Sequence, residues 1–204
     1  MRFYDIICGK AVLCVSGGFF AMMFRMKYIN RWGLMRSLRQ ENLAEHSLEV
    51  AILSHAIAEL GNKLFGRNYD SDRIAVKALY HDAPEILTGD QPTPVKYHSA
   101  ETKAAYDSVE SAATERFSEL LPQPLRNGYL SLFECTPEEK AVIKAADTLC
   151  AYIKCVEETS SGNGEFSCAR LSSLEKLNLI TLPEVRYFID NYLEYFTLPL
   201  DEIK

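Results

Sequence analysis

The sequence has no CxxC pair, no apolar run long enough to cross a bilayer, no internal repeat, no low-complexity linker and no excess of basic charge. Its 22 Lys and Arg against 28 Asp and Glu give a formal charge of −6, so no basic surface points to a polymeric nucleic acid or an anionic membrane as partner. The cysteines, Cys8, Cys14, Cys135, Cys150, Cys155 and Cys168, lack zinc-ligand spacing, and Cys150 and Cys155 fall inside a helical pattern. They read as reduced thiols of a cytoplasmic protein. The stretch AVLCVSGGFFAMMF at 11–24 has the charged start and apolar centre of a secretory signal, but two glycines interrupt it and no small-x-small cleavage site is evident. It also falls short of the about 20 apolar residues that a membrane helix needs. We expect residues 1–15 to form an N-terminal extension and FFAMMFRMKYI to be a helix packed on the core.

What is present is a chain of 204 residues, 48% hydrophobic, enough to bury the core of one domain. Apolar residues recur with a period near 3.6 almost throughout, which predicts an all-α fold. Asn42 can cap a helix over 43–60 whose face His46, Val50, Leu53, Ile57, Leu60 repeats at helical spacing, with Gly61 ending it. Asp70 or Ser71 can cap the next, which carries Ile74, Ala78 and His81 on one stripe and breaks near residue 83, before Pro84. Further helices are expected at about 100–121, 124–133, 137–160, 165–179 and 184–195, with Thr136 as a cap and Pro137 in the first turn. Residues 87–97 read as the one rich loop.

Several polar residues are hard to place on such a fold. His46 lies on an apolar stripe, and taken alone it is more simply a hydrogen-bonded core histidine than a ligand. His81 near a helix end has an ordinary electrostatic excuse, but Asp82 does not. A carboxylate facing the negative end of a helix loses a few tenths to ~1 kcal/mol, so something positive should compensate. Asp147 sits beside the apolar stripe Ile143, Ala146, Cys150, Ile153, where a charge needs a cation, with Lys144 or Lys154 as the plain alternative to a metal. Two imidazoles and two carboxylates, converging from separate elements, would suit a divalent transition metal with open positions for water and substrate.

His46, the His81-Asp82 doublet and the distant Asp147 resemble the H…HD…D signature of the HD-domain metal-dependent phosphohydrolases, which are helical. The stretches YINRWGLMRSLRQENLAEHSLEVA (28–51), LYHDAPEILTGDQPTPVKY (79–97) and ADTLCAYIKCVEE (146–158) resemble more closely the bacterial 5′-deoxynucleotidases of that superfamily, over about residues 17–200. The resemblance implies one compact HD domain over 16–204, hydrolysis of deoxyribonucleoside 5′-monophosphates, and a homodimer. It implies a divalent transition metal, cobalt, manganese or similar, on His46, His81, Asp82 and Asp147. It also implies that Arg31 orients the phosphate, that Trp32 lines the sugar pocket, and that Asp90, Gln91, Pro92 and Thr93 contact the nucleoside.

The chemistry agrees with these assignments. A phosphate dianion suits the fixed, always-charged fork of Arg31, and Glu85 is the nearest free carboxylate for proton transfer. Without the family likeness, Arg31-Trp32 would read as a surface pair and GDQPTP as a rigid turn. Gln91 stands where the family pattern has an apolar residue, which bears on base preference. Related HD enzymes cleave alarmones or deoxynucleoside triphosphates, but Ile86 stands where the alarmone hydrolases carry a second acid, and APEILTG has no added histidine. A non-catalytic sensing module has no need of Glu85.

Overall fold

The computed structural model describes residues 17–96 and 98–203, with Thr93 placed by its main chain alone. The expected extension 1–15, with Cys8 and Cys14, lies outside the described residues. Among these there is no strand, so the all-α expectation holds. The helices are α1 (Phe19–Met23), α2 (Leu43–Leu64), α3 (Ser71–Ala78), α4 (Glu85–Thr88), α5 (Thr93–Lys96), α6 (Ala100–Glu119), α7 (Gln123–Phe133), α8 (Pro137–Ser160), α9 (Ser167–Asn178) and α10 (Pro183–Tyr192), with short 3-10 turns between and after them.

Local chemistry sets the boundaries of the two longest helices. Asn42 Oδ1 accepts from the amides of Ala44 and Glu45, and Glu45 Oε2 accepts from the Asn42 amide, a reciprocal cap that starts α2. Thr136 and Glu139 repeat this at α8, where Pro137 occupies the first position, as the sequence predicts. From α2, Val50, Leu53 and Ile57 are buried, each such side chain worth about 1.5–3 kcal/mol. With α3, α8, α9 and α10 they form the larger core. Gly61 does not end α2, which runs on to Leu64. Its hydrogen serves a close approach: a Cβ there would stand 2.8 Å from Cε2 of Tyr69. The left-handed Gly66, at φ 65°, follows where the helix stops.

A second cluster joins Phe19 of α1 to Phe117 and Leu121, with Tyr80, Tyr129 and Phe133 around them. Between the two cores the chain departs from expectation. α3 stops at Ala78 rather than near 83, and residues 79–84 form a run of tight turns, with Tyr80 N donating to Lys77 O, Ala83 N to Tyr80 O and Glu85 N to Asp82 O. Pro84 has no N–H for an i−4 bond and disfavours helical backbone at Ala83, so the chain tightens before it arrives. Ala78 anchors this run in the first core and Ala83 anchors it in the second. His81 and Asp82 therefore emerge at the junction of the cores, not at a helix terminus. The expected rich loop at 87–97 is also more ordered than predicted, since α4 and α5 lie within or overlap it.

Candidate metal centre

His46 enters the junction from the start of α2, His81 and Asp82 from the turn run, and Asp147 from the middle of α8. His46 Nε2 stands 3.2 Å from Asp147 Oδ1 and 3.6 Å from Asp82 Oδ2. His81 Nε2 is 3.1 Å from the same Asp82 oxygen, and the two imidazole centroids are 5.4 Å apart. The Nδ1 of His81 lies 2.7 Å from Ala78 O, which fixes the ring and leaves Nε2 free for a ligand. Both Nε2 atoms, and the Nδ1 of His46, are buried without a well-formed hydrogen bond. One ligand atom each from His46, His81 and Asp147 lies within 4.8 Å of the others. Orphaned imidazole nitrogens facing carboxylates, in a donor set of nitrogen and oxygen, fit a divalent transition ion.

The electrostatics show what the cluster lacks. Burial opposes charge on His81, but Asp82 and Asp147 outweigh it and raise its pKa to about 9. Burial likewise opposes the charge of Asp82 and Asp147, yet the imidazoles, and Lys144 for Asp147, hold both well below the ordinary carboxylate range. A proton on His81 thus supplies positive charge that the carboxylates demand, and a bound cation would release it. The lysine partner foreseen for Asp147 is also there: Lys144 Nζ donates to Oδ2 at 2.6 Å, leaving Oδ1 toward His46. The lysine pair therefore occupies one carboxylate oxygen and leaves the other within the cluster.

Arg31 and Trp32 reach the same place from the segment before α2. A main-chain bond from Arg31 N to Glu41 O (2.9 Å) and one from Leu43 N to Ile29 O (2.9 Å) close the base of a loop over 31–41. Arg31 Nη1 stands 3.3 Å from Asp82 Oδ2 and 3.9 Å from Asp90 Oδ1. Trp32 has φ 58°, the one left-handed non-glycine among the described residues. Such strain in a bulky residue costs of order 1–3 kcal/mol and persists only where its surroundings enforce it. Here the indole donates to Glu41 Oε2 at 3.1 Å and packs on Phe166, centroids 5.4 Å apart.

Glu85 opens α4 with Oε2 buried and unpartnered, and Lys96 Nζ stands 3.9 Å from its other oxygen. Burial, then the charges of Asp82 and Asp90, raise its pKa to about 8. Asp90 is raised by burial, against the pull of Arg31. Gln91 turns toward α6: its amide donates to Thr88 O at 3.1 Å and accepts from the Tyr106 hydroxyl at 3.4 Å. Pro92 O accepts from the amides of Val95 and Lys96, and Thr93 begins α5. The structure thus brings Arg31, His46, His81, Asp82 and Asp147 together, with Asp90 and Glu85 at their edge and Trp32 linked through Glu41. Gln91 and Pro92 lie on the neighbouring segment, where their hydrogen bonds run to Thr88, Tyr106, Val95 and Lys96, and Thr93 follows them at the start of α5.

Glu41 and Lys96 are absent from the sequence-based set. Glu41 has no periodic signal, since it precedes the helix cap, and Lys96 reads as an ordinary loop cation until α6 brings Glu110 within 2.5 Å of it.

Comparison with known proteins agrees with this geometry. The sequence matches the family described as YfbR-like 5′-deoxynucleotidases over residues 18–196. A 5′-deoxynucleotidase of Pectobacterium atrosepticum is 45% identical over 188 residues, 91% of this chain and 94% of the relative. One from Yersinia pestis is 45% identical over 188 residues, 91% and 95% of the two chains. Among solved structures, an HD-domain phosphohydrolase of Listeria innocua superposes with a TM-score of 0.76 at 23% identity, over 87% of each chain. The cyanophage S-2L HD phosphohydrolase, bound to dA and one catalytic Zn2+ ion, gives 0.61 at 20% identity over 86% and 96%. These two show a shared fold.

Proposed function

This chain belongs to the YfbR-like family of 5′-deoxynucleotidases, and from that premise we propose that it hydrolyses deoxyribonucleoside 5′-monophosphates to deoxyribonucleosides and phosphate at the His46, His81, Asp82, Asp147 cluster. The observation that carries the reading is the pair of buried Nε2 atoms that form no good hydrogen bond and face Asp82 and Asp147 beside a guanidinium. His46, His81, Asp82 and Asp147 would hold the metal. When bound, a divalent ion such as cobalt or manganese supplies Lewis acidity toward the phosphoryl group and the attacking water.

The remaining work falls to the protein. Burial opposes charge on Arg31, but Asp82 and Glu41 outweigh it, so the guanidinium stays cationic and takes the substrate dianion. Glu85, buried at the edge of the cluster with one oxygen unpartnered, returns a proton to the leaving 5′-oxygen. Trp32, fixed by Glu41 and Phe166, walls the sugar and crowds a 2′-hydroxyl. Asp90, Pro92 and Thr93 contact the nucleoside, and Gln91 joins them while its amide braces the segment against Tyr106. In this reading residues 16–204 are the HD domain, residues 1–15 lie outside it, and the protein acts as a cytoplasmic homodimer. No helix among the described residues is long and apolar enough to cross a membrane.

The test is phosphate release from deoxy- and ribonucleoside 5′-monophosphates and from a bis-phosphate alarmone, with and without added divalent ion. Metal-dependent release from the deoxy substrate, much poorer from its ribo counterpart, is expected. Release from the alarmone alone, or release indifferent to chelation, overturns the assignment.

A further inference from the structure

We propose that Glu41 is a positioning residue that couples the metal site to the substrate grip: one buried carboxylate sets the imidazole of His46, the guanidinium of Arg31 and the indole of Trp32 at once. The substrate half of this proposal rests on the function proposed above. The metal half does not.

The geometry is specific. Glu41 Oε1 accepts from Arg31 Nε at 2.9 Å and faces His46 Nδ1 at 3.4 Å, while Oε2 accepts from Trp32 Nε1 at 3.1 Å. The residue itself is held at the base of its loop, its carbonyl accepting from Arg31 N at 2.9 Å and its neighbour Asn42 capping α2. Its side chain therefore has little freedom to follow the groups it touches. It dictates to them.

Different consequences follow on each side. A carboxylate beside Nδ1 of His46 favours the tautomer with its proton there, which leaves the Nε2 lone pair toward Asp82 and Asp147. On the Arg31 side, engaging Nε uses the inner edge of the guanidinium and leaves Nη1 facing Asp82 and Asp90, so the fork presents its outer edge where the phosphate would sit. On the Trp32 side, the indole bond helps enforce a left-handed backbone that a bulky residue does not adopt unaided.

The variant must keep the volume, because Glu41 also lines a cavity of about 200 Å³ with Arg39, Glu49, Ile153 and Cys150. Alanine would join that cavity to the site and confuse two effects. Glu41→Gln keeps the shape and removes the charge, and its amide nitrogen must face a donor on one side.

The primary readout is Mn2+ affinity of the purified protein without substrate, by competition with a chelating dye. A ten- to hundredfold weakening is expected, the range for loss of a carboxylate behind a ligating histidine. The second readout is KM for a deoxynucleoside monophosphate and its ribo counterpart at saturating metal. The deoxy KM should rise and the gap between the two should narrow, neither of which a purely structural residue predicts if thermal unfolding of the metal-free protein is unchanged. Should Glu41→Gln fail to fold, Glu41→Asp keeps the charge, withdraws the oxygens by about one bond length, and should show the same weakening. Mn2+ affinity within twofold of wild type in a folded variant overturns the proposal. A wild type that binds Mn2+ but releases no phosphate sinks the functional reading instead, and the affinity comparison still decides the role of Glu41.

Discussion

Glu158 offers the sharpest test of how this fold holds the loop over 31–41. It is buried near the end of α8, and one of its oxygens accepts from Lys154 Nζ at 2.6 Å and Arg39 N at 3.2 Å. The other accepts from Leu38 N at 2.9 Å and Asn163 Nδ2 at 2.8 Å. Lys154 Nζ in turn donates to Arg39 O at 2.6 Å, so both residues pin the segment that follows Arg31 and Trp32. Removing one partner of a buried ion pair costs about 3–5 kcal/mol. Glu158→Gln retains an acceptor and should lie near the lower figure, about 3 kcal/mol. In a domain of this size each kcal/mol lowers Tm by about 2–4 °C, which predicts a fall of about 6–12 °C.

The pH dependence has a definite sign. Burial opposes the charge of Glu158, but Lys154, the Leu38 and Arg39 amides and Asn163 lower its pKa from 4.5 to about 2. Its stabilisation is therefore fully present above pH 4.5 and is lost as pH falls through about 2. The advantage of wild type over Glu158→Gln should shrink across that window. Replacing both charges, as Lys154→Met with Glu158→Leu, should recover much of the stability but not the loop, so KM for a deoxynucleoside monophosphate should stay raised. Thermal melts against pH and steady-state kinetics measure both effects. A Tm within about 2 °C of wild type, with unchanged KM, refutes the reasoning.

Other perturbations separate the remaining roles. Asp147→Ala should lose bound metal and phosphatase activity while keeping its helical circular dichroism, and full activity after chelation and reconstitution would remove it from the ligand set. Arg31→Lys keeps the charge but loses the fork; one charge-assisted hydrogen bond of ~1.5–3 kcal/mol implies roughly a ten- to hundredfold fall in kcat/KM with metal content unchanged. Parallel loss of metal would instead indicate a folding or ligand-shell effect and not phosphate orientation. In the metal-free protein the Glu85 carboxyl should titrate near pH 8 by carbon NMR, and move down on metal loading as the cation offsets Asp82. An ordinary carboxylate titration in the metal-free state would contradict the burial and charge that surround it.

How far the sequence foretells all this depends on the range of the interaction concerned. α8 matches its predicted limits of 137–160 because Thr136, Pro137 and Glu139 specify its start within a few residues. The convergence of His46, His81, Asp82 and Asp147 is legible because a position on or beside an apolar stripe, or just before a proline turn, is also a local property. The stop of α3 at Ala78 is less so: Pro84 is visible, but how early the chain tightens depends on Ala78 and Ala83 anchoring in different cores. Gly61 misleads for the same reason, since an element-ending residue by local rules is here spared for Tyr69, which folds back from a later turn.

Glu41 is the limiting case. Nothing within ten residues marks it as more than an acid before a helix cap, and its role exists because a loop returns Arg31 and Trp32 to it while α2 carries His46 past it. Ligands that must point inward leave a periodic trace in sequence, because burial and helix geometry are repetitive. A residue that positions ligands need satisfy no period. It is found by asking of each buried polar group what it faces, and at this site the indole of Trp32 and the Nε of Arg31 donate to the same carboxylate that the Nδ1 of His46 faces at 3.4 Å.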